Sequence, residues 1–413
     1  MRCLVFEPSR HGHRFSYLRH LVEAIAELAD EVIVTVNRSA PGTAEYREHV
    51  EPIEPRVTVD SSMPQGEGLS TIDFCRHALT ALRTVVRDHR PDHVYVPSAT
   101  GVAQMLGLAR LVGINPFRGG VESECVTLRE PFAYPSPTTK RWLFARLSLR
   151  AAALAPWTVV HHIDPLPFEE LQRRGGRYAR RSRLLPEPVE TITAMESQEA
   201  RRRLEIPETG RYIGLAGFLD LRKGTDLLMR AFADAPRRHD DRLLLVGRMA
   251  DRIRSMLEGE YASLVNDRRI IVIDRFVSDE TFATSLSAMD VVAACHPRQI
   301  GSSGIVVRAP KVGRPLLGSD FGWVGRMINR FSLGRTCNVR DHDALVAAVG
   351  TSLRDAEEPR LNEAARRFLK FHTVSNFAAS ISQNLRERLG RPAADGLRTW
   401  QWVNEPLEGA DGC

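Results

Sequence analysis

Two periodicities alternate along the chain. Short apolar runs such as Cys3–Phe6 and Val32–Val36 are followed by stretches whose apolar residues recur every three or four positions. In the first half the runs predict strands at Met1–Glu7, Glu31–Val36, Arg56–Val59, Pro91–Pro97, around Glu122–Glu124, and at Trp157–His162. The intervening periodic segments predict helices at Phe15–Leu28, Leu69–His89, Thr100–Leu111 and Thr138–Leu154. Continuous rather than alternating apolar strands are those of a parallel sheet buried on both faces.

Asn37–Gly68, rich in Pro, Glu and Arg, reads as surface connection. Arg173–Arg183 reads as an arginine-rich loop, and the prolines of Leu184–Pro188 mark a domain connection. The alternation then restarts. Strands are expected at Tyr212–Ala216, Arg242–Val246, Ile270–Ile273, Val291–Cys295 and Leu316–Gly318. Helices are expected at Glu196–Leu204, Thr225–Ala235, Arg252–Leu264, Thr281–Met289, Ala344–Leu353 and within Leu361–Leu385. The expected fold is α/β, with two Rossmann-like domains at 1–188 and 189–385 facing across a cleft.

The stretch Ala293–Asp320 concentrates the chemistry. A strand ends in a loop with His296, Pro297 and Arg298, then Gly301-Ser302-Ser303-Gly304 opens a helix that Gly313-Arg314-Pro315 stops. This order places backbone N–H groups and two hydroxyls where a phosphate can approach. The same residues also suit an ordinary capped helix. In the first half, the loop Ser9–Arg14 follows the first strand and holds His11, Gly12 and His13. It suits an anionic or polyhydroxyl group, or plain solvent. Glu122 and Glu124 suit either an acceptor hydroxyl, with Glu124 as base, or simple exposure.

Composition narrows the partners. The 413 residues carry net charge +6, which favours an anionic ligand. No basic recognition helix or arginine–aromatic alternation points to nucleic acid. Six cysteines without CxxC or Cys/His metal spacing predict a reducing, cytoplasmic setting and no metal site. Lysine stands only at Lys140, Lys223, Lys311 and Lys370, so a lysine inside a motif carries weight. In Lys140–Leu154, basic residues interleave with Trp142, Leu143, Phe144, Leu147 and Leu149. That pattern fits a core helix with an arginine-covered face, or peripheral contact with the inner face of a membrane. His161 and His162 read as structural.

In the second half, Gly217-Phe218-Leu219-Asp220-Leu221-Arg222-Lys223-Gly224 follows a strand and precedes a helix. It resembles the Gly-Arg-x-x-x-x-Lys-Gly element of the retaining group 1, or family four, glycosyltransferases, which include sucrose and mannosyl transferases. Leu244–Gly247, Phe276–Glu280, Met289–Val292 and Gly313–Asp320 follow in that family's order. The resemblance covers roughly Tyr212–Val349 and reaches the first half only in general layout. It implies the GT-B fold, in which the second domain holds a nucleotide-diphosphate sugar and the first an acceptor hydroxyl, with no obligatory metal or other cofactor.

Carried over, Lys223 sits on the donor pyrophosphate and acts in catalysis. Gly217, Arg222, Gly301, Ser302, Ser303 and Gly304 hold the sugar-phosphate, while Gly247, Arg248 and Phe276 lie near the nucleoside. Ser9, His11, Gly12, His13 and Glu122 face the acceptor, which is a sugar, a lipid-linked group or another hydroxyl compound. The segment 386–413 can cross back onto the first domain. The implied activity is transfer with retention in polysaccharide or glycolipid synthesis. Two departures stand out. The family arginine before Lys223 is Phe218 here, with Arg222 as its substitute. The family's two glutamates in Glu-x7-Glu spacing are Ile300 and Arg308 here. Arg298 and Arg308 then make the pocket strongly anion-binding. The alternative is a nucleotide-sugar binder or partner subunit that has lost transfer activity.

Overall fold

The structure is a computed structural model and describes residues 1–8, 14–63, 69–136, 138–236, 238–356 and 361–405. The chain divides into two compact units. One is Met1–Pro188 with Thr373–Trp400, and the other is Val189–His372 with the chain from Gln401.

In the first unit, strands β1 (Arg2–Glu7), β2 (Glu31–Asn37), β3 (Thr58–Met63), β4 (His93–Val96), β5 (Glu122–Thr127), β6 (Val159–His162) and β7 (Ser182–Leu184) form one sheet. Their order is β3-β2-β1-β4-β5-β6-β7, and every pairing is parallel. Strand order reverses between β1 and β4. The strand residues Leu4, Phe6, Val94 and Val96 pack on one face with Leu82 and Leu106, while Cys3, Val5, Val32 and Val34 pack on the other with Leu18 and Ile25. This two-sided burial is why the strands read as unbroken apolar runs.

The return helix Val374–Arg388 belongs to this unit. Phe377, Ile381 and Leu385 enter the second of those clusters, and the Phe377 ring meets Tyr17 edge-on at 5.9 Å. Each such buried side chain contributes about 1.5–3 kcal/mol. The return begins at Thr373, ahead of the expected 386, and the chain leaves again after Trp400. Trp400 donates to Glu169 Oε1 at 2.8 Å, whereas Trp402 lies under Arg367.

The second unit holds β8 (Tyr212–Ala216), β9 (Arg242–Val246), β10 (Ile270–Ile273), β11 (Val291–Ala294), β12 (Leu316–Ser319) and β13 (Gly334–Cys337). Their order is β10-β9-β8-β11-β12-β13, again parallel throughout. The order reverses between β8 and β11. An open α/β sheet offers its ligand crevice at that point, outside the carboxyl ends of the strands.

Some elements differ from the sequence expectation. Arg173–Arg183 is no loop, because the helices Pro165–Arg174 and Gly176–Arg181 meet at Gly175 and run into β7. Glu170 pairs with Arg173 and Arg174, so the arginines cover the last helical turn rather than repel it. Arg252–Leu264 is two helices, Asp251–Glu258 and Ala262–Asn266. The helix Gly322–Arg330, whose Trp323, Val324, Met327 and Ile328 are buried, and the edge strand β13 are not among the expected elements.

Candidate functional site

Four loops leave the carboxyl ends of β10, β9, β8 and β11 side by side. From β8, Gly217 to Lys223 turns into the helix Thr225–Asp234. Asp220 Oδ1 accepts from the Lys223 backbone N–H at 2.9 Å, and Lys223 Nζ donates to the Ala216 carbonyl at 2.8 Å. The ammonium thereby lies against Gly217, where a Cβ would come within 2.4 Å of it. The loop from β9 crosses this turn at Gly247. There φ is +116° and a Cβ would sit 2.1 Å from the Gly217 carbonyl oxygen, so only glycine fits.

Both helices at the switch point begin without a side-chain cap. Gly224, at φ +70°, caps Thr225–Asp234 and packs on the Cys295 carbonyl. Ser303 caps Gly304–Lys311 but makes no side-chain cap hydrogen bond, so this hydroxyl is not spent on the helix. Uncapped N-termini leave N–H donors and the positive dipole end for an external anion.

The cations gather around these ends. Arg222 Nη1 reaches Gln299 Oε1 at 3.3 Å, and Gln299 Nε2 donates to the Ser302 carbonyl at 2.6 Å, which ties the β8 loop to the glycine turn. Arg308 folds back on its own helix start, where a Cβ on Gly304 would lie 2.3 Å from its Nη1. Burial, with Arg222 beside it, lowers the Lys223 ammonium to about 8. Arg298 is exposed on the loop after β11. Phe218, on the same turn, is 50% exposed. Further along the rim, the Arg248 guanidinium lies 5.7 Å from the Phe276 ring centroid, a flat cationic and aromatic surface.

His296, which the sequence placed in the loop after the strand without giving it a role, joins this group. It is 3% exposed, and among the described residues its Nδ1 meets no hydrogen-bond partner. Burial, with Lys223 and Arg222 near, lowers it to about 3, so the imidazole is neutral at ordinary pH. Its place directly after a buried strand end, facing a motif lysine, was the available signal.

The first unit corrects the acidic pair. Glu122 and Glu124 lie at the amino-terminal part of β5, with Glu122 paired opposite His93 at the start of β4. That is the end of the sheet away from the carboxyl rim. Glu124 is fully buried. His161 Nε2 stands 2.6 Å from one carboxylate oxygen, and His93 Nε2 and Asn384 Nδ2 stand 2.9 and 3.0 Å from the other. Burial alone would raise this carboxyl, but the two histidines bring it down to about 2. Both oxygens are occupied, so Glu124 is a structural anion and not the catalytic base. Glu122, half-buried, accepts from Asn384 at 3.2 Å and does not reach the rim either. The expected acceptor residues Ser9, His11, Gly12 and His13 lie outside the described residues.

At the carboxyl rim itself stand Thr127, Glu130, His162 and Asp164, which periodicity did not single out. Thr127 Oγ1 donates to Glu130 at 2.9 Å, His162 Nδ1 also bonds Glu130, and Tyr134 donates to Asp164. Asp164 caps the helix Pro165–Arg174, and burial pushes it up to about 7. These groups are turned into one another.

Three solved structures share this architecture. Sucrose-phosphate synthase from Thermosynechococcus elongatus matches with TM-score 0.70 at 17% identity, over 94% of this chain and 100% of that one. Anabaena HepE, solved in complex with UDP and glucose, matches with TM-score 0.65 at 15% identity, over 94% and 99%. WaaG, a glycosyltransferase involved in lipopolysaccharide biosynthesis, matches with TM-score 0.63 at 14% identity, over 94% and 99%. No protein-family model matches the chain, and no curated protein does. The fold is the two-unit Rossmann-like fold of the GT-B glycosyltransferases.

Proposed function

We propose that this chain is a glycosyltransferase that moves a sugar from a nucleotide-diphosphate sugar to an acceptor hydroxyl. The observation that carries the reading is the pairing of two uncapped helix N-termini, at Gly224 and Ser303, with Lys223, Arg222 and Arg308 at the switch point of the second sheet. Such a cluster suits a diphosphate. That HepE was solved with UDP, on the same fold, supports a uridine nucleotide as the first to test.

In the reaction, the bond from the sugar's anomeric carbon to the phosphate oxygen breaks and the acceptor oxygen bonds to that carbon. The nucleoside diphosphate leaves with the electron pair and takes up the acceptor's proton. Lys223, Arg222, Arg308 and the helix ends stabilise the charge that grows on the leaving group, the largest contribution available here. Neutral His296 supplies a hydrogen bond beside Lys223 without adding charge. No metal is required, because fixed cations do its work. Arg308, where the family has glutamate, takes a phosphate instead of a ribose hydroxyl. The family resemblance adds retention and an acceptor in polysaccharide or glycolipid synthesis.

Thermal unfolding with UDP, GDP, ADP, dTDP and CMP tests the site, for wild type and Lys223→Ala. A nucleotide at a hundred times its dissociation constant should add about 2.7 kcal/mol to wild type. The shift should vanish in the variant. No shift with any nucleotide, or an equal shift in Lys223→Ala, would overturn the donor site. A shift without hydrolysis or transfer of the matching nucleotide-sugar would leave a binder, not an enzyme.

A further inference from the structure

Helix Thr139–Leu154 is turned inside out by the ordinary rule of burial. Only Ala145, Ala151 and Ala152 are buried. Its large side chains face outward, with Trp142 49%, Leu143 51%, Phe144 67% and Leu147 51% exposed. Helix Val102–Leu111 lies against its carboxyl-terminal part so closely that a Cβ on Gly107 would sit 1.7 Å from the Ala151 carbonyl oxygen. Small residues make that contact, and Leu149 packs on the first unit's core.

The neighbouring helix adds Leu108, Leu111 and Val112, 52%, 67% and 75% exposed, at its own carboxyl end, where Arg110 Nη1 donates to the Leu154 carbonyl. Apolar side chains gathered in this way mark an interaction surface, whereas scattered ones mean nothing. The charge says which kind. No Asp or Glu occurs between Asp92 and Glu122, nor between Glu130 and Asp164. Arg110, Arg118, Lys140, Arg141, Arg146 and Arg150, on or beside these helices, are all exposed. Arg146 stands 4.7 Å over the Trp142 ring, a pairing of cation and amphipathic aromatic suited to a headgroup layer. A protein partner would need no such exclusion of acids over both helices. An anionic lipid surface does.

We propose that this two-helix face docks on an anionic membrane, with Trp142, Leu143, Phe144 and Leu147 entering the acyl boundary and the arginines meeting lipid phosphates. The docking stands apart from the donor-site reading. Among the described residues no helix is long and apolar enough to cross a membrane, so the contact is peripheral.

Sedimentation of the full chain with vesicles tests it, using phosphatidylcholine alone and phosphatidylcholine mixed with phosphatidylglycerol. The protein should pellet with the anionic vesicles only, and less as salt rises. Arg141→Glu/Arg146→Glu/Arg150→Glu should weaken binding at least a hundredfold, at about fivefold or more per charge. Leu143→Ser/Phe144→Ser should remove the part of binding that resists salt. All substituted side chains are exposed, so the unfolding midpoint should hold within a few degrees and vouch for the fold. Absence of binding to anionic vesicles at low salt would overturn the proposal, as would variants that bind like wild type. So would a wild-type dimer, seen by sedimentation velocity, that Leu143→Ser/Phe144→Ser dissolves, because a second copy would then occupy the face.

Discussion

The Glu124 cluster in the first unit and the Lys223 cluster in the second are both charged, both partly or wholly buried, and opposite in design. Around Glu124, two histidines and Asn384 occupy both carboxylate oxygens, so the charge is consumed by its neighbours. Around Lys223, like charges converge. Arg222 stands near and outweighs the carboxylate of Asp220, the helix ends add positive potential, and among the described residues Nζ bonds a carbonyl. A neutralised buried charge holds a fold together. An accumulation of one sign at a switch point awaits a counter-ion.

The largest expected effect separates the two directly. Glu124→Ala should cost about 3–5 kcal/mol of stability, because it leaves two buried histidines without their anion. Nucleotide affinity of the folded protein should not change. The carboxylate's share is present above its ordinary value of 4.5 and is lost as pH falls toward 2. Denaturant unfolding at neutral and acid pH measures both. A stable Glu124→Ala protein with weakened nucleotide binding would merge the clusters and break the contrast.

Next comes Gly247→Val. At φ +116°, with the Gly217 carbonyl 2.1 Å from the new Cβ, the strain should be about 1–3 kcal/mol and should displace the β8 turn. Nucleotide affinity should fall along with stability, whereas Glu124→Ala separates them. Calorimetric titration of the refolded variant decides this.

The smallest effect is on pH. In the free protein Lys223 is protonated below about 8 and loses its proton above it. A diphosphate binds the protonated form, so above pH 8 binding must take up a proton. Affinity should then fall by about tenfold per pH unit, and should be flat below. Titration in Lys223→Arg should lose that dependence, since the guanidinium stays charged. A flat wild-type profile would remove Lys223 from the anchor.

Much of the architecture was legible because parallel strands buried on two faces must be apolar throughout, as Leu243–Val246 and Val291–Ala294 are. What escaped was the edge. Strand β13 pairs on one side only and needs no such run, and β7 is mostly arginine and leucine. In the site, Lys223 was readable as a lone motif lysine between a strand and a helix. Arg222 was readable as its neighbour, though its bond to Gln299 was not. Glu124 was misread because an acidic residue looks the same in sequence at either end of a strand.

By itself the sequence determined the period of the buried strands and of most of the longer helices, and it carried the lysine motif between a strand and a helix. Those depend on neighbours within a few positions, where backbone geometry and burial set the pattern. Only tertiary structure decided which end of a strand a charge occupies, that His296 joins Lys223, and that four large side chains of the helix Thr139–Leu154 face outward. Each of those follows from contacts between residues far apart in the chain, and no local spacing encodes them.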